Sequence, residues 1–180
     1  RMVDYQSLPA PKRPYGRAKL RQEQTLRACN DSIKVSVYRP STVYGFHAGT
    51  GRQGLVIKLM KCLLNGQTTT IYGRPYTLRD YITSRDVGQF IAHKVGHAKK
   101  SKFAEYILAS GKPTSLMEIV LLVEEIFQRR ALIRYSLDAD NALDNTFRRG
   151  DRPNGWIPTD LAYGIKATAL QLHVSAMVSA

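Results

Sequence analysis

The sequence has 180 residues, which is enough for a domain with a substantial hydrophobic core. Hydrophobic residues make up 43% of the chain and charged residues 23%, a composition that excludes an intrinsically disordered protein. Lys and Arg number 27 against 14 Asp and Glu, so the net charge of +13 favours anionic partners, above all phosphate groups. No apolar run has the length of a membrane span and no signal-peptide pattern is present, so we expect a cytoplasmic protein without a membrane partner.

The cysteines and histidines show no spacing typical of a metal site, so no metal is expected. Two isolated cysteines, Cys29 and Cys62, also do not make a disulfide framework of the kind found in small secreted domains. We interpret both as buried small apolar residues. The four histidines are expected in surface or packing roles: His47, His93, His97 and His173.

The first elements are predicted from local composition and periodicity. Residues 1–14 contain three prolines and are expected to form an extended loop. Good helix formers predict a helix over 15–29, and alternating apolar and polar residues predict a strand over 33–40. The almost wholly apolar segment 55–64 predicts a half-buried helix.

The middle of the chain combines short strands with a helix. Residues 69–72 and 78–82 are predicted strands around a Gly-Arg-Pro turn. Ser84 favours the start of a helix that ends near His97. Residues 103–109 are predicted to form another strand.

The last third begins with the firmest local pattern. Ser115 and Glu118 stand three residues apart directly before an apolar run, which predicts a capping box at the start of an amphipathic helix. A short strand is predicted over 133–135, then a long polar loop over 136–157 and a last helix capped by Thr159. Strands and helices thus alternate early and become shorter and more irregular later, which is typical of an α/β sheet followed by a small α+β lobe.

Tyr15 and Lys19 are the first candidates for chemistry. They are four residues apart on the first predicted helix, so their side chains project from one face. An ammonium group beside a phenol stabilises the phenolate, and such a pair can act as an acid or base near neutral pH. The same spacing is commonplace on helices without a catalytic role, so it gains weight only from the motifs around it.

Five motifs occur along the chain in one order: Pro-Tyr-Gly-Arg-Ala-Lys at 14–19, Arg-Pro-Ser-Thr-Val-Tyr-Gly at 39–45, Arg-Asp-Tyr-Ile at 79–82, Leu-Ala-Ser-Gly-Lys-Pro-Thr-Ser-Leu-Met-Glu-Ile-Val at 108–120 and Gly-Trp-Ile-Pro at 155–158. Together they resemble the extended short-chain dehydrogenase/reductase family, and most of all its NAD-dependent nucleotide-sugar epimerases and dehydratases. Each motif is weak alone, but their combination spans nearly the whole chain and is specific.

The resemblance implies a fold class: the C-terminal part of a Rossmann-type doubly wound sheet plus a small α+β substrate-binding lobe. Residues 1–53 would be the end of the NAD(P)-binding domain, and 54–180 mostly the nucleotide-sugar-binding lobe, with 78–98 returning to the Rossmann domain. No Gly-rich phosphate-binding turn is present anywhere in the sequence. We therefore expect a fragment of a longer enzyme that is inactive as the isolated chain.

The resemblance also implies roles for the catalytic and cofactor-binding residues. Tyr15 would be the general acid/base that takes the proton from a sugar hydroxyl, and Lys19 would hold the nicotinamide ribose. Ser41 falls where the family's backbone meets the nicotinamide end of the cofactor. The implied cofactor is NAD, and NADP stays an alternative because the residues that choose between them are not in this sequence.

Four residues are implied to bind substrate. Arg79 matches the arginine that pairs with the nucleotide diphosphate, a task suited to a planar fork of donors. Thr70 and Tyr72 lie on the strand that lines the nucleobase pocket, where Tyr72 would stack on the base or simply fill the core. Thr42 falls on a position that is usually Asn, and is a candidate contact to the substrate or a partner for backbone groups at the strand end.

A further substrate arginine near the end of the chain can be aligned in two ways. Arg148 fits the local spelling but leaves too few residues before Gly155. Alternatively, 143–146 fills the family's Asp-containing stretch, which moves the arginine to around Arg134. We prefer the second alignment.

The implied function is an NAD-dependent nucleotide-sugar 4-epimerase in polysaccharide or sugar-nucleotide biosynthesis, with a homodimer as the complete enzyme. A 4,6-dehydratase, a decarboxylase or a reductase of the same family is an alternative, because all begin with oxidation at the sugar C4. An alternative of a different class is a basic nucleic-acid-binding protein, suggested by the charge of +13. Because the basic residues are spread evenly and no nucleic-acid-binding motif is present, we expect no nucleic acid partner.

Overall fold

The computed structural model describes residues 2–29, 33–46, 54–97, 102–137 and 143–178, with side chains up to residue 173. His47 lies outside the described residues. Within them the chain forms five helices and nine strands. In order these are β1 (Met2–Val3), α1 (Pro14–Ala28), β2 (Val35–Pro40), β3 (Thr42–Tyr44), α2 (Leu55–Leu64), β4 (Thr69–Tyr72), β5 (Leu78–Thr83), α3 (Ser84–Gly96), β6 (Phe103–Leu108), β7 (Pro113–Ser115), α4 (Leu116–Phe127), β8 (Ile133–Ser136), β9 (Thr146–Phe147) and α5 (Leu161–Val178).

The strands pair mostly in parallel, as expected for an α/β fold. β2 pairs with β6, β3 with β5 and β4 with β8, all in parallel, while β7 adds to β5 in the antiparallel direction. β4 and β5 flank the predicted Gly-Arg-Pro turn, but β4 takes β8 as its partner and β5 takes β3 and β7. β6 lies in the predicted substrate lobe yet pairs with β2 of the predicted cofactor domain, and the division into domains stays a prediction.

Two hydrophobic clusters hold these elements together. The larger lies between α2, α4 and α5, where Leu59, Ile119 and Ile165 are fully buried. The smaller packs α3 on the β2–β6 pair and contains the buried Trp156, whose indole N–H donates to the Ala109 carbonyl at 2.7 Å. Among the described residues, no helix combines the length and the apolar character that a membrane span requires.

The predicted capping box is confirmed. The Ser115 hydroxyl accepts from the Glu118 N–H at 3.1 Å, and the Glu118 carboxylate accepts from the Ser115 N–H at 2.6 Å. Hydrogen bonds from Ser115 hold the pKa of the Glu118 carboxyl below its ordinary value, so this contribution to stability is present at neutral pH and is lost on acidification. Ser115→Ala is expected to lower the free energy of unfolding by about 1 kcal/mol at pH 7, measured by urea denaturation.

The predicted helix from Ser84 to about His97 is confirmed, since α3 runs from Ser84 to Gly96. Its N-cap is Thr83, whose hydroxyl accepts from the Asp86 N–H at 3.0 Å.

The predicted cap of the last helix is wrong. α5 begins at Leu161, so Asp160 directly precedes it, and the Asp160 carboxylate accepts from the Ala162 N–H at 3.0 Å. The N–H and the hydroxyl of Thr159 instead donate to Asp86, each at 2.8 Å.

The expected burial of the two cysteines is also wrong. Cys29 is exposed and Cys62 is only partly buried. Cys29 follows α1, a helix without a buried side chain, so no hydrophobic core of α1 covers its thiol.

Candidate active site

The predicted Tyr15 and Lys19 pair forms at the start of α1. Pro14 occupies the first turn, where its fixed φ favours helix initiation and its missing N–H has no intrahelical partner to lose. The Lys19 ammonium lies 5.7 Å from the centre of the Tyr15 ring. Both side chains are exposed, Tyr15 by 74%, so a ligand can reach the phenol and the ammonium together.

The N-terminal loop packs against the same helix. Gly16 faces this loop so closely that a Cβ would lie 2.8 Å from the Pro11 Cβ. Next to this contact is a cleft of about 370 Å³ that Lys19, Glu23 and Arg39 line from the helix and β2. Lys19 therefore borders both the solvent-exposed Tyr15 ring and a concave surface.

Ser41 lies directly after β2 and is tied to a buried carboxylate. Its hydroxyl donates to Asp80 Oδ1 at 2.6 Å, and its N–H donates to the Leu108 carbonyl at 2.8 Å. Since Leu108 ends β6, Ser41 sits at the carboxyl end of the parallel β2–β6 pair. Ligands of open α/β sheets bind at that end of the strands, and the cofactor contact that the resemblance implies for Ser41 stays a prediction.

Asp80 is the group that sequence reasoning missed. The residue is only 1% exposed, and its carboxylate accepts four hydrogen bonds. Oδ1 accepts from the Ser41 hydroxyl and the Ser110 N–H, at 2.6 and 2.8 Å, while Oδ2 accepts from the Ser110 hydroxyl and the Gly111 N–H, at 2.9 and 2.7 Å. The signal in the sequence was a carboxylate within the strand segment 80–83, all of which is buried in the structure. Asp80 thus joins the two loops that follow β2 and β6.

Arg79 precedes Asp80 on β5 and is half-buried. Its Nη1 donates to the carbonyl oxygens of Leu78, at 3.0 Å, and Leu143. The segment that contains Asn145 lies alongside, because the Asn145 N–H donates to the Leu78 carbonyl at 3.0 Å. The structure thus places Asn145 beside β5, and the choice between the two alignments of the further substrate arginine stays a prediction.

The remaining substrate candidates lie on two strands. Thr42, on β3, is in register with Tyr81 of β5 and is half-buried. Thr70 and Tyr72 share one face of β4, since side chains alternate along a strand, while Thr69 and Ile71 point into the core. Tyr72 is 54% exposed, so its interpretation as core filler is wrong.

The structure therefore gathers the predicted residues into three groups. Tyr15 and Lys19 meet on α1. Ser41, Thr42 and Arg79 lie along the β3–β5 pair, with Ser41 bonded to the Asp80 carboxylate and Arg79 on the opposite face of β5. The third group is the outer face of β4, where Arg134 of β8 is in register with Thr70 and is exposed: Thr70, Tyr72 and Arg134.

Solved structures similar to this chain include complexes with UDP-sugars and with NAD. MoeE5 in complex with UDP-glucose and NAD superimposes with a TM-score of 0.85 at 23% identity, covering 97% of this chain and 60% of that one. The UDP-glucuronic acid 4-epimerase of Bacillus cereus, in complex with UDP-glucuronic acid and NAD, gives 0.81 at 21% identity, with 97% and 57% covered. The UDP-glucose 4-epimerase of Thermus thermophilus, in complex with NAD, gives 0.80 at 21%, with 96% and 58% covered.

These likenesses show the fold, and this chain spans about 60% of the length of such proteins. A search of curated proteins finds no significant sequence match. The family model described as the NAD dependent epimerase/dehydratase family matches residues 2–108, which is more than half of the chain. The protein therefore belongs to the NAD dependent epimerase/dehydratase family.

Proposed function

We propose that this chain carries the acid/base pair and the nucleotide-sugar-binding residues of an NAD-dependent 4-epimerase that acts on a nucleoside-diphosphate sugar in the cytoplasm. The observation that carries the proposal is the Tyr15 phenol held beside the Lys19 ammonium on an exposed helix face. Membership of the family and the fold shared with UDP-sugar 4-epimerases support the same reaction.

Lys19 and Ser41 suit NAD by the chemistry of their side chains and by their positions in the fold. Lys19 offers an exposed ammonium for ribose hydroxyls, and Ser41 lies at the carboxyl end of two parallel strands, where dinucleotides bind in open sheets. When bound, NAD supplies the hydride acceptor and donor. Contacts to the adenosine half of the cofactor are not assigned to any residue of this chain.

Tyr15 and Lys19 provide the proton transfer that balances the hydride transfer. Tyr15 would accept the O4–H proton as C4 is oxidised to a ketone and would return it to O4 when C4 is reduced from the opposite face. Lys19 would hold the nicotinamide ribose with its ammonium. The net change is inversion at C4 with no oxidant consumed.

The nucleotide part of the substrate is bound by residues that do not belong to α1. Arg79 offers its guanidinium to the diphosphate, and the hydrogen bonds from Nη1 to the Leu78 and Leu143 carbonyls hold one arm of that group in place. The exposed Tyr72 ring provides a stacking surface for the nucleobase, with Thr70 beside it on β4. Thr42 supplies one hydroxyl near β5, at a sequence position where the family usually has the side-chain amide of an asparagine.

Binding of UDP-glucose to this chain, measured by isothermal titration calorimetry, tests the substrate site. Arg79→Ala is expected to weaken binding by about 10- to 100-fold, since a charge-assisted hydrogen bond is lost, and Arg79→Lys by less. Arg74→Ala is the matched control: Arg74 is exposed on the neighbouring turn, and its loss should change affinity by no more than about twofold. No saturable binding, or salt-dependent binding to DNA instead, would contradict the proposal.

Tyr15→Phe tests the chemistry, because it removes only the hydroxyl. We expect turnover to fall by about 10²- to 10⁴-fold while affinity for UDP-glucose changes little. The assay uses NAD and UDP-glucose with this chain fused behind the unmatched part of the Thermus thermophilus epimerase. Tyr163→Phe, at a tyrosine 70% exposed on α5, is the control that should leave turnover unchanged. Products of dehydration, decarboxylation or net reduction would identify the alternative reactions of the family.

We also propose a homodimer for the complete enzyme, with α1 packed against its symmetry mate. The support is that α1 has no buried side chain and leaves Leu26 44% exposed. Sedimentation of the fused enzyme should give a dimer at micromolar concentration. A monomer would contradict this part of the proposal.

A further inference from the structure

The helix that carries Tyr15 and Lys19 is not fixed by a hydrophobic core. None of the residues of α1 is buried, and Leu20 is only half-buried. Surface helices of globular proteins are normally oriented by an apolar stripe that faces the core. Because α1 buries no side chain within this chain, polar contacts orient it on the β2–β6 pair.

Those contacts converge on Arg39 of β2. Arg39 Nε lies 3.2 and 3.1 Å from the two carboxylate oxygens of Glu23 on α1, and Nη2 lies 2.5 Å from Glu23 Oε2. The same Nη2 also donates to Glu105 of β6 at 3.0 Å. One guanidinium therefore joins the helix to both strands of the β2–β6 pair, in the bidentate geometry that gives arginine its directional specificity.

A second arginine extends the network along the helix. Arg27 Nη2 donates to Glu105 at 2.7 Å, and its guanidinium lies 4.1 Å from the centre of the Phe103 ring. The side chains of Arg39, Glu23 and Glu105 are 34%, 25% and 30% exposed, so solvent screens their contacts only in part.

The spacing connects this network to the acid/base pair. Tyr15, Lys19, Glu23 and Arg27 follow one another at intervals of four residues, so they form one stripe along α1. The second half of the stripe holds the sheet, and the first half presents the phenol and the ammonium. Lys19, Glu23 and Arg39 also line the same cleft. A rotation of α1 that broke the Glu23 contact would turn Tyr15 and Lys19 by the same angle.

We propose that Arg39 is a positioning residue: through Glu23 and Glu105 it sets the rotation of α1 and so aims Tyr15 and Lys19 at the sugar and the ribose. The proposal rests on the proposed function, since aim matters only if the pair is catalytic. The requirement is for a guanidinium, because a lysine ammonium keeps the charge but cannot reproduce the planar fork that holds both Glu23 oxygens.

Hydrogen exchange of this chain without ligand tests the tether independently of any activity. Arg39→Met and the milder Glu23→Gln are expected to speed exchange of the α1 amides by about tenfold or more, with α2 unchanged, because exchange reports local opening. Arg21→Met, at an exposed arginine elsewhere on α1, is the matched control and should leave exchange as in the wild type. Unchanged α1 protection in both Arg39→Met and Glu23→Gln would overturn the proposal.

The positioning role is tested by kinetics of the fused enzyme. We expect Glu23→Gln and Arg39→Met to lower kcat by about tenfold or more while KM for UDP-glucose stays within about twofold, because the proposed substrate residues lie on β3, β4 and β5 and not on α1. Arg39→Lys should restore only part of kcat. Faster exchange of the α1 amides with an unchanged kcat would overturn the positioning role and leave the proposed function in place. Absence of turnover in the wild-type fusion would overturn the proposed function and the positioning role with it, while the exchange result would still describe the tether.

Discussion

Asp80→Asn is expected to lower the free energy of unfolding by about 3 kcal/mol or more, although the two side chains have the same shape. Each carboxylate oxygen of Asp80 accepts one backbone N–H: Oδ1 from Ser110 at 2.8 Å and Oδ2 from Gly111 at 2.7 Å. An asparagine amide must point its NH₂ group at one of these donors in either orientation. One buried N–H then faces another donor and loses its acceptor, at a site 1% exposed.

Urea denaturation at pH 7 measures this effect, and Asp160→Asn is its matched control. Asp160 also accepts a backbone N–H, from Ala162 at 3.0 Å, but it lies at the exposed start of α5, where Asn caps a helix as well as Asp. The control should therefore cost no more than about 0.5 kcal/mol. If Asp80→Asn lowered the free energy of unfolding no more than the control, the four hydrogen bonds to Asp80 would not stabilise the fold as expected.

Gly164→Ala is expected to destabilise the chain by about 2 to 3 kcal/mol, against the helix preference for alanine. A Cβ at residue 164 would lie 2.1 Å from the Tyr44 hydroxyl oxygen and 2.9 Å from Thr83 Cγ2. Tyr44 is only 4% exposed, and burial raises its pKa well above the ordinary value. The ring has no room to retreat, because it packs within the cluster between α2, α4 and α5.

Two further variants separate overpacking from a general effect of glycine replacement. Gly88→Ala places a Cβ inside α3 with no atom within 4 Å, so it should stabilise the chain by up to about 1 kcal/mol. Tyr44→Phe removes a buried hydroxyl that has no hydrogen-bond partner in the described part of the chain, and should be neutral or stabilising. The Tyr44→Phe, Gly164→Ala double variant should regain part of the lost stability. Equal destabilisation by Gly88→Ala and Gly164→Ala would contradict the steric explanation.

Local patterns predicted much of this fold. The apolar run 55–64 and the strand 69–72 have the predicted bounds, and the Ser115 and Glu118 capping box forms as expected, because each depends on neighbours within a few residues. The contact between Tyr15 and Lys19 was predictable for the same reason. Strands of two or three residues, such as β3 and β9, were not predicted, since they are too short to show a period.

Features that depend on distant partners were not predictable from one sequence. Asp80 receives its donors from residues 30, 31 and 39 positions away, and Arg39 meets Glu105 across 66 positions. The pairing of β2 with β6 brings Arg39 to Glu105, and the pairing of β3 with β5 is also needed to bring Asp80 to its donors. The same dependence on distant residues holds for Thr159, whose hydroxyl donates to Asp86, and for Cys29, whose exposure follows from the unburied state of α1.

The pleat of β5 gives Arg79 and Asp80 opposite surroundings. Side chains alternate along a strand, so the guanidinium proposed to meet the diphosphate and the carboxylate that joins the two loops point to opposite faces. A slip of β5 by a single residue against β3 would turn both side chains to the other face and separate the Asp80 carboxylate from its four donors. The register of β5 therefore fixes two things together, the satisfaction of a buried charge and the place of the arginine proposed to bind the diphosphate.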